Sequence, residues 1–351
     1  MRLAAILRVL EAIAPLSLAE SWDRVGLHVG DPNQLVSRAL LCVDLTEAVM
    51  AEATREGAEL VIAYHPPIFE PLRRLTASTW KERVITTAIR ERIAIYSPHT
   101  ALDAVAGGVT EWLAEGLGAG ALKPITPRPQ PARTRLAVAL PPGQLAVARA
   151  RLTDAGAETI ALAHPVTALA DGAALERVIV TCTSNHVSKV IEIARALQGD
   201  AAPAIELLAC VADPTATARE GAGRRLVLDR PITAGALARR LKARLKLKHL
   251  ELATPRGGGK LRSIAICPGA GGGLFAGVRD VDAYVTGEMR HHDVLAAVER
   301  GQTVALAGHT QTERPYLPRL RSVLKDRLRA HADGPLRVLI SRADRAPSRI
   351  V

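Results

Sequence analysis

Leu3, Ile6, Leu7, Leu10 and Ile13 recur every three or four positions near the start of the chain, with Arg8 and Glu11 between them. That spacing gathers the apolar side chains on one face and predicts an amphipathic helix. Three short apolar runs follow at 39–43, 60–64 and 94–96. The run at 60–64 predicts a buried strand, and those at 39–43 and 94–96 read as strands as well. Helical patterns lie between and after them at 46–57, 78–92 and 108–117, the second capped by Ser78 or Thr79. This alternation of strand and helix predicts an α/β organisation for residues 1–130.

The rhythm changes after the Pro-rich stretch Lys123-Pro124-Ile125-Thr126-Pro127-Arg128-Pro129-Gln130-Pro131, which reads as a linker. Strand-like runs at 135–140, 160–163, 177–182 and 205–210 and helical ones at 144–154 and 186–197 give the order βαββαβ. That is the ferredoxin-like pattern, so 131–219 is expected to be a small inserted α+β domain. From 220 to 351 the α/β rhythm resumes, with strand-like runs at 225–228, 249–252, 264–267, 283–285, 304–307 and 338–340. The outer segments are expected to form one α/β domain interrupted by the insert, which is permitted because insert boundaries usually lie at the surface.

Composition adds limits. Of the 351 residues 48% are hydrophobic but only 3% aromatic, so Ala, Leu, Val and Ile must fill the core. No apolar run approaches the ~18 residues of a membrane span, and the N-terminal helix, interrupted by Arg8 and Glu11, reads as core rather than leader. Cys42, Cys182, Cys210 and Cys267 stand far apart without a CxxC, as small buried hydrophobes do in a reducing compartment, so a cytoplasmic protein is expected. The net charge of +11 suits an anionic ligand. The basic residues are spread widely, and the dense stretch Arg239-Arg240, Lys242, Arg244, Lys246 and Lys248 reads as the solvated face of a helix carrying Leu237, Leu241 and Leu245. Nucleic acid is therefore not the expected partner.

Candidate chemistry sits at the ends of the strand-like runs, where α/β sheets present ligands. His65 follows 60–64 and precedes Pro66-Pro67; His99 and Asp103 follow 94–96; His309 and Glu313 follow 304–307 and Gly308. Both pairs have a four-residue spacing, which brings two side chains to one helix face. Imidazole and carboxylate together suit zinc, iron, manganese or nickel better than magnesium or calcium. Each residue also has an ordinary structural role open to it: a satisfied core histidine at 65, helix-terminal carboxylates at 103 and 313. A third cluster, Glu288 with His291-His292, could supply ligands, partners that orient ligands, acid/base groups or helix caps. The Gly269–Gly273 run lacks the Gly-Lys-Ser/Thr of a P-loop and reads as a tight strand-to-helix turn. No GxSxG motif supports a serine hydrolase.

Five phrases in this order carry a resemblance: Glu20-Ser21-Trp22-Asp23-Arg24-Val25-Gly26-Leu27; Tyr64-His65-Pro66-Pro67-Ile68-Phe69; residues 97–103 followed by Gly107-Gly108-Val109; Thr286-Gly287-Glu288-Met289-Arg290-His291-His292-Asp293; and residues 308–314. The chain resembles the NIF-three-like family, the GTP cyclohydrolase 1 type 2 homologs, in its eukaryotic-type branch. The resemblance implies an α/β fold, two divalent transition-metal ions held by His65, His99, Asp103, His309 and Glu313, and a homo-oligomeric ring, often a hexamer. It also implies a metal-dependent hydrolase acting on a nucleotide or related anionic metabolite, with Glu288 or His291 shuttling protons. A non-enzymatic interaction protein of transcription-partner type is the alternative it implies. One departure concerns the second metal: many members have two adjacent histidines where this chain has Tyr64-His65, and Tyr, with a pKa of about 10, is a poor ligand at neutral pH.

Overall fold

Leu60, Val61, Ile62 and Ala63 are all buried, yet successive side chains leave the strand on opposite faces. Leu60 and Ile62 join a cluster with Leu3, Ile6 and Leu10 of the helix Leu3–Ile13 and Leu320 and Leu324 of the helix Leu317–Leu328. Val61 and Ala63 meet Val49 and Met50 of the helix Glu47–Arg55 and Val84 and Ile85 of the helix Trp80–Arg90. A sheet covered on both faces explains the unbroken apolar run. The computed structural model of the chain describes residues 1–128, 133–162, 166–167, 174–183, 186–199, 205–209, 219–329 and 335–348. It is a mixed α/β protein of two compact units, Met1–Arg128 with Ala218–Val351, and Pro129–Thr217.

The first unit contains two large sheets and a two-stranded one that pairs Thr126–Pro127 with Gly221–Ala222. One large sheet has the strand order Gly26–Val29, Ala94–Ser97, Leu60–Ala63, Arg38–Cys42, Arg337–Ile340. All its neighbours are parallel except Gly26–Val29, which pairs antiparallel with Ala94–Ser97. The other has the order Glu251–Ala253, Thr303–Leu306, Ala283–Glu288, Leu261–Ala270, Arg224–Ile232, Gly120–Lys123. Its three central strands, Leu261–Ala270, Ala283–Glu288 and Thr303–Leu306, are parallel. The parallel strands of both sheets carry the candidate ligands at their C-terminal ends.

Arg224 ties the sheets together. Its side chain is fully buried and forms an ion pair with Glu111 at 2.9 Å. The same guanidinium donates to the carbonyls of Ala104 (2.9 Å) and Val105 (3.2 Å), which end the helix His99–Ala104. A buried charge is tolerated only when every donor finds a partner, and this one also reaches the carbonyls of Gly221 and Gly223.

Most predicted elements are present with ends shifted by one to a few residues. The two-residue strands Thr126–Pro127, Val166–Thr167 and Gly221–Ala222 were not legible, nor were two of four residues, Gly26–Val29 and Gly120–Lys123. The longer two are edge strands of mixed polarity, where pairing rather than pattern defines the element. The Gly269–Gly273 run makes the expected strand-to-helix turn: a bulge between Cys267 and Ala270 carries the strand to Ala270, where it pairs with Glu288, and the helix Gly272–Phe275 follows at once. The basic helix Ala234–Leu245 is less solvated than its charge suggests: Arg240 donates to the Leu117 carbonyl, and Arg244 donates to the Trp112 carbonyl while lying 4.2 Å over its ring.

In the second unit the described elements follow the order strand, helix, three strands, helix, strand; four strands form a sheet ordered Glu206–Ala209, Arg133–Leu140, Ala174–Thr183, Ala157–Leu162, all antiparallel, and the short strand Val166–Thr167 pairs with Ala174–Thr183. Leu136, Val138, Val178 and Val180 pack on Leu152 and Val190 of the two helices. Residues 129–131 of the expected linker, Ala163 and Cys210 lie outside the described residues.

Candidate metal centre

Each histidine of the cluster leaves a parallel strand at its C-terminal end. His65 extends the ladder of Leu60–Ala63, its N–H donating to the Val43 carbonyl at 3.0 Å, before Pro66-Pro67 ends the strand. His99 opens the helix His99–Ala104 with φ +30, a conformation an L residue adopts only when its surroundings impose it. His309 follows Thr303–Leu306 across Gly308, whose φ of +84 supplies the turn that places the imidazole. Glu313 follows one loop later and is almost completely buried.

The ligand atoms of His65, His309 and Glu313 lie within 4.8 Å of one another and form a group that could hold a metal ion. Glu313 bridges the two histidines, Oε2 3.4 Å from His65 Nε2 and Oε1 3.4 Å from His309 Nε2. His99 stands beside them, its ring centroid 5.4 Å from that of His65. Asp103, one helical turn along, accepts the Tyr64 hydroxyl at 2.5 Å. That hydrogen bond occupies one oxygen of Asp103 and uses the Tyr64 proton.

All three histidines are held in the same way. His65 Nδ1 lies 2.8 Å from Asp44 Oδ1, His99 Nδ1 2.7 Å from Asp23 Oδ1, and His309 Nδ1 3.0 Å from Glu288 Oε1. A carboxylate on Nδ1 fixes the ring's orientation and leaves Nε2 as the free ligand atom, the usual arrangement around a metal. Asp23 is itself anchored by the Thr100 N–H at 3.1 Å and the Thr100 hydroxyl at 2.5 Å.

The acid–base balance follows. Burial alone would lower the His65 pKa, but the hydrogen bond to Asp44 and the nearby negative charge of Glu313 outweigh it and push it up to about 10. Burial pushes Asp103 up to about 7 against the lowering effects of Tyr64 and His99. Burial, followed by the Asp103 and Glu313 charges, pushes the Tyr64 phenol well above its ordinary range. Asp44 and Asp23 are held below the usual carboxylate range; burial opposes this and is overcome by their histidine partners.

Two further observations fit a cation here. Glu313 Oε2 is buried without a hydrogen-bond partner, a costly state for a carboxylate oxygen. Gly269 (φ +61) faces the cluster, and a Cβ there would stand 2.6 Å from Glu313 Oε1 and 3.0 Å from His309 Nε2. A cavity of about 860 Å³ opens onto His65, His99 and His309 and is also lined by Phe69, Lys81 and Glu288.

Of the two residues expected to shuttle protons, Glu288 lines that cavity and holds His309. His291, at the start of the helix His291–Glu299, lines a separate cavity of about 280 Å³ with Glu251 and Met289. Sequence reasoning missed the orienting roles of Asp23 and Asp44. Asp44 stands two residues beyond the strand Arg38–Cys42, so the strand-end rule that found the histidines would have found it too. Asp23 lies in a loop, where no periodicity marks it.

Fold and site define an α/β protein whose strand ends converge on a carboxylate-oriented histidine and glutamate cluster. The sequence model of the family described as Duf34/NIF3 (NGG1p interacting factor 3) matches residues 1–347, and the chain belongs to that family. It is 37% identical to NIF3-like protein 1 of Rattus norvegicus over 361 residues, covering 100% of this chain and 93% of the relative. It is 27% identical to NGG1-interacting factor 3 of Saccharomyces cerevisiae, covering 99% of this chain and 96% of the relative. Among solved structures, a Bacillus cereus protein related to NIF3 superposes with a TM-score of 0.77 at 25% identity, covering 99% of this chain and 98% of that one. Among the described residues no helix is long and apolar enough to cross a membrane.

Proposed function

We propose that this chain is a metal-dependent hydrolase acting on a nucleotide or related anionic metabolite. The observation that carries this reading is the set of three carboxylate–histidine pairs, two of which, at His65 and His309, turn Nε2 toward the buried Glu313 carboxylate. His65, His309 and Glu313 would hold one divalent transition metal (zinc, iron, manganese or nickel), and His99 with Asp103 would contribute to a second. When bound, such metals supply hydroxide near neutral pH and polarise the attacked carbon. Glu288, which lines the cavity with an exposed side chain, would carry a proton to or from a ligand there; His291 would do so only for a ligand reaching the neighbouring cavity.

The same reading includes a cytoplasmic homo-oligomeric ring, with six copies as the expected number. Elemental analysis of the purified protein, with product release from GTP by the metal-loaded form, tests it. A metal-loaded protein that neither binds GTP nor releases product from it would remove that substrate. A second reading is favoured by the relative named NGG1-interacting factor 3: a metal-binding interaction protein with a protein partner. Partners that still co-purify with a His309→Ala, Glu313→Ala double variant would support that reading over the enzyme.

A further inference from the structure

The chain holds three tryptophans and two phenylalanines, and three of these five rings are exposed: Trp22 (54%), Trp80 (44%) and Phe69 (37%). A protein so short of aromatics forgoes much stabilisation by leaving them in water, since each ring could bury a large apolar area. Their placement is not scattered. Trp22 packs against Phe69 with ring centroids 6.1 Å apart and against His99, also at 6.1 Å. Phe69 lines the 860 Å³ cavity above the histidines. Trp80 precedes Lys81, which lines the same cavity and has no carboxylate in ion-pairing range among the described residues.

We propose that Trp22 and Phe69 form an aromatic wall on which a planar heteroaromatic ring stacks, with Lys81 receiving the ligand's negatively charged group. The inference rests on the hydrolase reading above and names the part of the ligand that this site recognises. A wall in contact with His99 places a stacked ring beside the metal-ligand histidines, where its atoms would be open to attack. Lys81 is a point charge suited to phosphate or carboxylate. The wall reads the ring by its face, so it selects for an aromatic system without choosing between bases. Neither residue need touch the reacting atoms; both set specificity.

The test uses full-length, metal-loaded protein and calorimetric titration with guanosine and adenosine monophosphates against ribose 5-phosphate, in which a hydroxyl replaces the base. Both nucleotides are expected to bind more tightly than ribose 5-phosphate. Trp22→Leu should weaken nucleotide binding about 5- to 150-fold, the range of base–aromatic stacking, and leave ribose 5-phosphate unchanged. Trp22→Phe should restore most of the loss, Phe69→Leu should behave like Trp22→Leu, and Lys81→Ala should weaken all three ligands. Metal content per chain is measured on every variant, so a loss through His99 is recognised and Phe69→Leu then decides. Equal affinity for nucleotides and ribose 5-phosphate, or unchanged binding in both Leu variants, overturns the wall and leaves an anion-binding hydrolase standing. Binding of none of the three at full metal occupancy overturns both readings. A change of sedimentation coefficient in Trp22→Leu with nucleotide affinity retained would make the rings a contact between copies and overturn the proposal as well.

Discussion

Arg314 Nη2 lies 3.6 Å from Asp44 Oδ2, joining the residue next to one candidate ligand, Glu313, to the carboxylate that orients another, His65. The guanidinium is fixed on its other side by Asp344, with Nε and Nη2 donating at 3.1 and 3.0 Å. Asp344 also accepts the Val43 N–H at 2.7 Å. The cluster is thus braced by a chain of charges running from the C-terminal segment to the loop after Arg38–Cys42. A metal site depends on such bracing, because a ligand displaced by an ångström no longer completes the coordination geometry.

Asp44→Asn should keep the fold and weaken metal binding about 10- to 100-fold, the usual effect of losing a carboxylate that orients a histidine ligand. Competition against a chelating dye measures this. Unchanged affinity would mean that Asp44 does not position His65.

The metal-free protein should lose thermal stability as pH rises from 6.5 to 10. His65 has its pKa raised from 6.5 to about 10, so its contribution is complete below 6.5 and disappears as pH climbs through the folded-state value. Asp103, raised from 3.8 to about 7, favours its acid form in the fold and acts in the same direction at lower pH. Metal binding displaces these protons, so metal affinity should rise over the same range. Thermal melts of metal-free and metal-loaded protein at several pH values check both signs. Asp44→Asn should bring the upper limit of the window down.

Gly269→Ala should abolish metal loading, because the new methyl would press on Glu313 Oε1 and His309 Nε2. The left-handed φ of +61 adds a backbone cost of about 1 kcal/mol. Elemental analysis of folded protein separates the two effects: lost metal with a small shift in melting temperature is expected.

Arg224→Ala should destabilise the fold by about 3–5 kcal/mol, the range for removing one partner of a buried ion pair. Arg224→Lys should recover little, since an ammonium cannot span Glu111 and the four carbonyls. Urea unfolding reads both. Loss of metal from Arg224→Lys at a temperature where it remains folded would show that the clamp positions His99 and Asp103.

Asp103→Ala should lower the metal count per chain while leaving circular dichroism unchanged. The large apolar core is untouched, and Tyr64 loses only a hydrogen-bond acceptor. Full occupancy in this variant would exclude Asp103 as a ligand.

Sequence alone determined the elements with strong internal contrast. The unbroken apolar run at 60–63 and the three- and four-residue spacing from Leu3 to Ile13 specify a buried strand and an amphipathic helix through local periodicity. It also singled out His65, His99 and His309, which follow strand-like runs, and Asp103 and Glu313, each four residues beyond a histidine. Tertiary structure decided what those side chains face. Asp23 and His99 are 76 residues apart in the chain, and Val43 and Asp344 are 301 apart, so no local pattern encodes their pairing. Tyr64 reads in sequence as a missing ligand, whereas in the fold it donates to Asp103. The edge strands Gly26–Val29 and Gly120–Lys123 exist because a neighbouring strand offers hydrogen bonds, which a single segment cannot announce. Periodicity is a property of one segment, whereas a charge network and a coordination site are properties of distances between segments, and those are fixed only when the chain closes on itself.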